Sequence, residues 1–165
     1  MAHNFHQSRP QRGHPDHDAC GTGFIVRLGS EAAHEVVERG LVALQRLSHR
    51  GGIDADGSSG DGAGLMTEIP QRFIRRVAGE LGIALPRDFA LGMLFLPRDH
   101  QEWVRRAVET MSRGMGLKCL GWREVPVNCN VLGTLAQRTL PSIQQCFFSP
   151  TSTAENFEAQ LYLFR

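Results

Sequence analysis

The chain has 165 residues, a length suited to one domain, and its 41% hydrophobic and 21% charged content is that of an ordinary globular protein. Eighteen basic residues against seventeen acidic ones give a net charge of +1, so no strong field of either sign exists to recruit nucleic acid or an anionic membrane. The longest apolar runs, such as Leu91 to Leu96, are far too short to span a bilayer, and the N-terminus has no apolar signal-peptide segment.

Residues 1–19 are polar, rich in His, Arg, Gln and Pro, and carry no periodic apolar face. They read as a disordered leader in which His14 and His17 have no fixed geometry for binding a metal. Order is expected to begin at Cys20, with a short strand over Gly23–Val26 ended by Gly29 and Ser30. Ser30 then caps a helix from Glu31 to about Leu47, whose Ala33, Val36, Val37, Leu41 and Leu44 share one face. The glycine-rich stretch Gly51–Gly64 cannot be regular helix. It is followed by a strand over Leu65–Ile69 and a helix opened by Pro70 and running to about Leu81.

The second half repeats this alternation. Phe89–Leu96 reads as a central strand buried on both faces, and Asp99 as the cap of a helix to about Met115. Lys118–Val125 is a strand, Leu132–Thr139 a short helix and Ile143–Phe148 a strand. An amphipathic segment from about Thr153 is still running at Arg165, the pattern of a chain cut rather than finished. The pairs Arg75/Arg76 and Arg105/Arg106 read as solvated helix faces.

Four cysteines at 20, 119, 129 and 146, with no CxxC spacing, suggest free thiols in a reducing, cytoplasmic setting and no metal site. Cys119, Cys129 and Cys146 read as small packing residues. Cys20 differs, because it follows a small residue at the border of leader and ordered chain. Cleavage of the preceding bond would place a thiol and a free α-amine on one residue. An α-amine titrates near ~8, so its neutral fraction could take the thiol proton and make Cys20 a self-contained nucleophile and base. By spacing alone, a buried free cysteine at a strand start remains the competing reading.

The stretch His49–Gly64 is dense in glycine and carboxylate. It lacks the Gly-Lys-Ser/Thr of a phosphate loop, and its glycines at 60, 62 and 64 lead into a strand, unlike a dinucleotide fingerprint. As a calcium loop from Asp54 it has Asp56 and Ser58, but Ser59 stands at the glycine position and Leu65 at the bidentate Glu position. A tight structural connection and a functional loop both remain open. His49-Arg50 is either an acid/base or anion-binding pair or a structural hydrogen-bonding pair.

Together these segments resemble the glutaminase domain of the class II (N-terminal nucleophile, Ntn) amidotransferases that opens the glutamate synthase large subunit. The residues that carry the resemblance are Asp18-Ala19-Cys20-Gly21-Thr22-Gly23-Phe24, His49-Arg50-Gly51, Ala55-Asp56 and Gly60-Asp61-Gly62-Ala63-Gly64. Weaker matches follow in order: Leu91–Pro97, Val125–Asn128 with Leu132-Gly133, and Phe157-Glu158 with Gln160–Tyr162. Ile53, Asp54 and Ser58 depart from the pattern of the second block.

The resemblance implies an α+β fold, the αββα sandwich of Ntn hydrolases, with residues 1–19 as propeptide and 20–165 as the N-terminal part of the domain. It implies that Cys20 attacks the side-chain amide of L-glutamine with its freed α-amine as base, and that Arg50 positions the nucleophile. Ammonia would pass to a synthase region of the same polypeptide, containing FMN and an iron–sulfur cluster, with a glutamate synthase small subunit as further partner. No cofactor is implied for this chain itself. The family's Asn-Gly oxyanion pair, and the Arg followed by an Asp that anchors the glutamine carboxylate, are expected further along the domain: no Asn-Gly dipeptide occurs here, since Asn128 and Asn130 are not followed by glycine. The isolated chain is therefore expected to be incomplete at its C-terminus and inactive. A catalytically silent interaction module, or another amidase with an N-terminal cysteine, is the competing reading.

Overall fold

The computed structural model describes residues 21–29, 33–151 and 156–165, so Cys20, the Ser30 cap and the expected helix start near Thr153 lie outside the described residues. The chain forms two compact units, one made of the chain up to Ile53 with Gly60–Leu65, the other of Asp54–Ser59 with Met66–Arg165. The class is α+β, with five α-helices and one antiparallel sheet among the described residues.

In the first unit the principal element is helix α1, His34–Arg46, followed by a 3-10 turn at Ser48–Arg50. Gly40 is its buried position, and a Cβ there would stand 2.9 Å from the side chain of Leu65. Leu41, expected inside, is 50% exposed. Residues 21–27 are not a strand, and Phe24, Val26 and Leu28 are exposed. A strand holds its backbone polar groups only by pairing, and the described part of this unit contains no ladder for it to join.

The second unit is built around a three-stranded sheet in the order β1–β3–β2, with β1 at Ala90–Leu96, β2 at Leu117–Glu124 and β3 at Ser142–Pro150. Both pairings are antiparallel, matching Leu91 with Phe147 on one side and Trp122 with Cys146 on the other. The expectation that Phe89–Leu96 is the central strand is corrected here. β1 is the outer neighbour of β3 and leaves Phe95 66% exposed, whereas Gln144–Ser149 of β3 are all buried. Continuous apolar character did not mark the centre, because β3 carries Gln144, Gln145 and Ser149 there, with Gln144 and Gln145 hydrogen-bonded to neighbouring side chains.

Side chains of β3 alternate between two apolar layers, as the period of a strand requires. Phe147 packs with Ile74 and Ala78 of α2 (Gln71–Glu80) and with Phe89. Cys146 and Phe148 face the other way, toward Val108 of α3 (Gln101–Gly114) and Phe157, Leu161 and Phe164 of α5 (Phe157–Phe164). Phe148 and Phe164 meet edge to face at 5.2 Å. Spacings of four and three residues put each helix's contacts on one stripe.

Local chemistry sets the boundaries. α2 ends where Gly82 adopts φ 73°, with Gly82 N–H donating to Gly79 and Ile83 N–H to Ala78, a Schellman closure. Pro70 is the residue just before α2 rather than its first turn. Asp99 is not the cap of α3; His100 holds that place in the left-handed conformation, with no side-chain cap. Residues 65–69 are irregular rather than a strand, and a bulge between Cys119 and Gly121 interrupts β2. A Cβ on Gly121 would fall 2.6 Å from Ile83 Cδ1, so glycine is required where β2 passes under that side chain.

The arginine pairs are divided. Arg75 donates to the carbonyls of Leu85, Pro86 and Arg87 and lies 5.0 Å over the Phe89 ring. Arg105 donates to Gln144 Oε1 at 2.7 Å. Phe147→Ala removes the side chain shared by α2 and the sheet and is expected to destabilise the second unit by about 3–5 kcal/mol, read as a lowered urea midpoint with an unchanged slope.

Candidate functional site

The residue after the expected nucleophile position is Gly21, and the chain from there runs in the first unit. Thr22 and Gly23 line a surface groove with Glu38, Arg39, Val42, Ala43, Arg46 and Leu47, so this segment lies along the C-terminal half of α1. α1 leads directly into the 3-10 turn whose last residue is Arg50. Beside it, His49 Nδ1–H donates to the Arg46 carbonyl at 2.9 Å, closing the end of α1. That bond gives His49 a structural partner.

The glycine-rich stretch is divided between the units. Its stem belongs to the first: Ile53 bridges Gly60, Gly52 N–H donates to Asp61 Oδ2 at 2.8 Å, and Asp61 N–H donates to the Gly52 carbonyl. A Cβ on Gly60 would stand 2.8 Å from that carbonyl, so only glycine fits the stem at this position.

The tip, Asp54–Ser59, belongs to the second unit, and its centre is Asp56. The Asp56 carboxylate accepts from the N–H of Ser58, the N–H and hydroxyl of Ser59, and the N–H of Leu135. Ser59, itself buried, accepts from the N–H of Ala136 at 3.0 Å. These two amides open α4, Thr134–Thr139, and have no partner within the helix. A carboxylate and a hydroxyl distant in sequence thus supply the N-terminal cap of α4.

Gly133, which precedes the helix, carries no side chain because a Cβ would lie 2.4 Å from Ser59 Oγ and 2.6 Å from Asp56 Oδ2. The expected helix start at Leu132 is displaced to Thr134 for this reason, after a 3-10 turn at Cys129–Val131. Asp56 thus serves as a cap, and among the described residues no group of three or more His, Cys, Asp or Glu could hold a metal ion.

Four hydrogen bonds, the largest from the Ser59 hydroxyl, hold the Asp56 carboxyl well below the usual carboxylate range.

The thiols fall differently from their sequence reading. Cys129 is exposed rather than packed. Cys119 and Cys146 do lie in the apolar layer beneath α3 and α5, but their sulfurs are 3.2 Å apart. Cys146 is fully buried and Cys119 half-buried, and a hydrogen bond joins their sulfurs, either of which can donate. That bond holds the Cys119 thiol below its ordinary pKa and, with burial, pushes that of Cys146 up. No sequence spacing signalled the pair, since cross-strand register brought it together.

An α+β chain with a glycine-threaded loop after the first helix is what the class II amidotransferase resemblance called for, and comparison bears it out. A family model described as class-II glutamine amidotransferases matches residues 20–165, beginning at Cys20. The chain belongs to this family.

Among curated proteins it is 40% identical over 156 residues to the glutamate synthase [NADPH] large chain of Azospirillum brasilense, covering 91% of this chain and 10% of that one. It is 42% identical over 154 residues to ferredoxin-dependent glutamate synthase 1 of Arabidopsis thaliana, covering 89% and 9%. The Bacillus subtilis glutamate synthase [NADPH] large chain is 35% identical over 155 residues, covering 91% and 10%. The chain thus spans about a tenth of the length of these relatives.

Asp56→Ala is expected to lower the melting temperature at neutral pH by removing the cap of α4. The sign of its pH dependence follows from the depressed folded-state pKa. The carboxylate's contribution is fully present above its unfolded value of about 3.9 and is lost as pH falls below it. The difference in melting temperature between wild type and Asp56→Ala should therefore be constant from neutral pH to about pH 5, one unit above that value. Below about pH 4, near the unfolded value itself, it should shrink.

Proposed function

We propose that this chain is the glutaminase part of a glutamate synthase, hydrolysing L-glutamine to glutamate and ammonia. The observation that carries the reading is the coincidence of two boundaries. The family match begins at Cys20, where the polar leader meets the Gly-Thr-Gly-Phe segment. The proposed fold is the αββα sandwich of the Ntn hydrolases, with residues 1–19 removed as a propeptide.

In the proposed mechanism the α-amine of Cys20 takes the thiol proton, and the thiolate sulfur attacks the side-chain amide carbon of glutamine. The tetrahedral intermediate collapses to a γ-glutamyl thioester as the C–N bond breaks, and the amide nitrogen leaves as ammonia carrying the transferred proton. Water then attacks the thioester, freeing glutamate and restoring the thiol. Arg50, at the end of the turn that follows α1, is the proposed positioning residue for the nucleophile. The adjoining Thr22-Gly23 segment lies along the same helix, which supports this assignment.

The proposed destination of the ammonia is 2-oxoglutarate, in a synthase region of the same polypeptide that contains FMN and an iron–sulfur cluster, assisted by a small subunit. The proposed place of both groups is outside the described residues. A cytoplasmic setting is part of this reading. Among the described residues no helix is long and apolar enough to cross a membrane.

Intact-mass measurement of the active protein is expected to show residues 1–19 absent and Cys20 first. An active form retaining Met1 would overturn the α-amine mechanism. Cys20→Ser in the full-length protein should reduce glutamine-dependent synthesis by at least about 10³, the scale of losing a covalent nucleophile, while synthesis from added ammonia persists. Glutamine-dependent turnover near the wild-type rate would remove Cys20 from the mechanism.

A further inference from the structure

Cys119 and Cys146 are placed on neighbouring strands that pair as Cys119 with Phe148 and Trp122 with Cys146. In regular antiparallel register a residue and its diagonal neighbour stand well apart. Here the bulge between Cys119 and Gly121 alters the register beside Cys119, and the two sulfurs lie 3.2 Å from one another.

The two thiols are unequal. Cys119 lines a surface groove of about 540 Å³ together with Glu109, Arg113, Lys118, Trp122 and Thr151. Cys146 is fully buried and does not line it. Cys119 is therefore the member of the pair that borders the groove.

We propose that Cys119 and Cys146 form a peroxide-reactive dithiol, with Cys119 as the attacking sulfur and Cys146 as the resolving one. The chemistry balances with hydrogen peroxide as oxidant. The Cys119 sulfur attacks one peroxide oxygen, an S–O bond forms and the O–O bond breaks. The departing hydroxide takes the Cys119 proton and leaves as water. Cys119 is now a sulfenic acid, oxidised by two electrons.

The Cys146 sulfur then attacks the sulfenic sulfur. The S–S bond forms, the S–O bond breaks, and hydroxide leaves as a second water with the Cys146 proton. The net reaction is two thiols and one peroxide to one disulfide and two waters. The sulfurs need to close from 3.2 Å to the ~2.05 Å of a disulfide, a movement of about 1 Å. The hydrogen bond between the two sulfurs lowers the Cys119 pKa and so favours thiolate character at the less buried member of the pair, which is the form that attacks. The exposed and solitary Cys129 provides an internal comparison, since it has no resolving partner among the described thiols.

The test is peptide mapping of the folded full-length protein after limited hydrogen peroxide, quenching by alkylation and digestion with trypsin. Cleavage after Lys118, Arg123 and Arg138 places Cys119, Cys129 and Cys146 on three different peptides, 119–123, 124–138 and 139–165. The expected product is peptide 119–123 joined to peptide 139–165, lighter by two hydrogens than their sum and separated by reductant. In Cys146→Ser, Cys119 should instead accumulate as sulfenic acid captured by dimedone.

Recovery of Cys119 and Cys146 as two separate alkylated peptides, under peroxide that oxidises Cys129, would overturn the proposal. So would Cys119 progressing to sulfinic acid in the wild type with no linked peptide. The wild-type measurement decides by itself should Cys146→Ser fail to fold.

Discussion

The second unit depends on one constraint, the burial of β3 on both faces. Six consecutive residues, Gln144–Ser149, are removed from water, and three of them are polar. A buried amide without a partner is costly, so the surroundings of β3 are organised as much by its glutamines as by its phenylalanines. Gln144 accepts from Arg105 and donates to Gln101 and Ser142, while Gln145 accepts from Arg123. Those bonds orient α3 and β2 against the central strand, and Phe147 and Phe148 then define the two apolar layers that α2 and α5 cover. Among the described residues no fully buried side-chain polar atom lacks a partner.

The glycine-rich stretch shows how local chemistry divides between structure and catalysis. Its carboxylates invite a metal or acid/base reading, yet Asp56 serves backbone amides: two in its own turn and one at the start of α4. Asp61 likewise serves Gly52 within the stem. The glycines at 60 and 133 stand where a carbonyl, a hydroxyl or a carboxylate approaches too closely for a side chain. The loop is built from close backbone approaches, and its acidic residues satisfy the donors that such approaches would otherwise strand.

In the first unit, family membership and the local geometry bear on the proposed site together. The match to class-II amidotransferases opens at Cys20, and the residues just beyond lie along the helix that delivers the Ser48–Arg50 turn. Covalent amide chemistry needs a nucleophile, a base and a positioning group held near one another. In the proposed site, α1 leads into the turn that ends at Arg50, and the residues that follow Cys20 lie along its side. The Cys119–Cys146 pair belongs to the second unit and is far in sequence from Cys20.

Helices were the most legible elements, because their apolar spacing is a local property: Ile74 with Ala78, and Phe157 with Leu161 and Phe164, are stripes visible in the residues themselves. The family was legible too, since Asp18-Ala19-Cys20-Gly21-Thr22-Gly23-Phe24 and His49-Arg50-Gly51 are contiguous runs. Strand order was not, and the apolar segment Ala90–Leu96 became an edge while the glutamine-bearing Ser142–Pro150 became the centre. Burial of a strand depends on which partners cover it, and those lie tens of residues away. Likewise, the cap of α4 joins Asp56 to Leu135, and the thiol pair joins Cys119 to Cys146. Composition and periodicity thus determined the elements and the chemistry carried on contiguous motifs. Every function that requires two distant residues to meet was decided by tertiary structure, because only the folded register brings their atoms within bonding range.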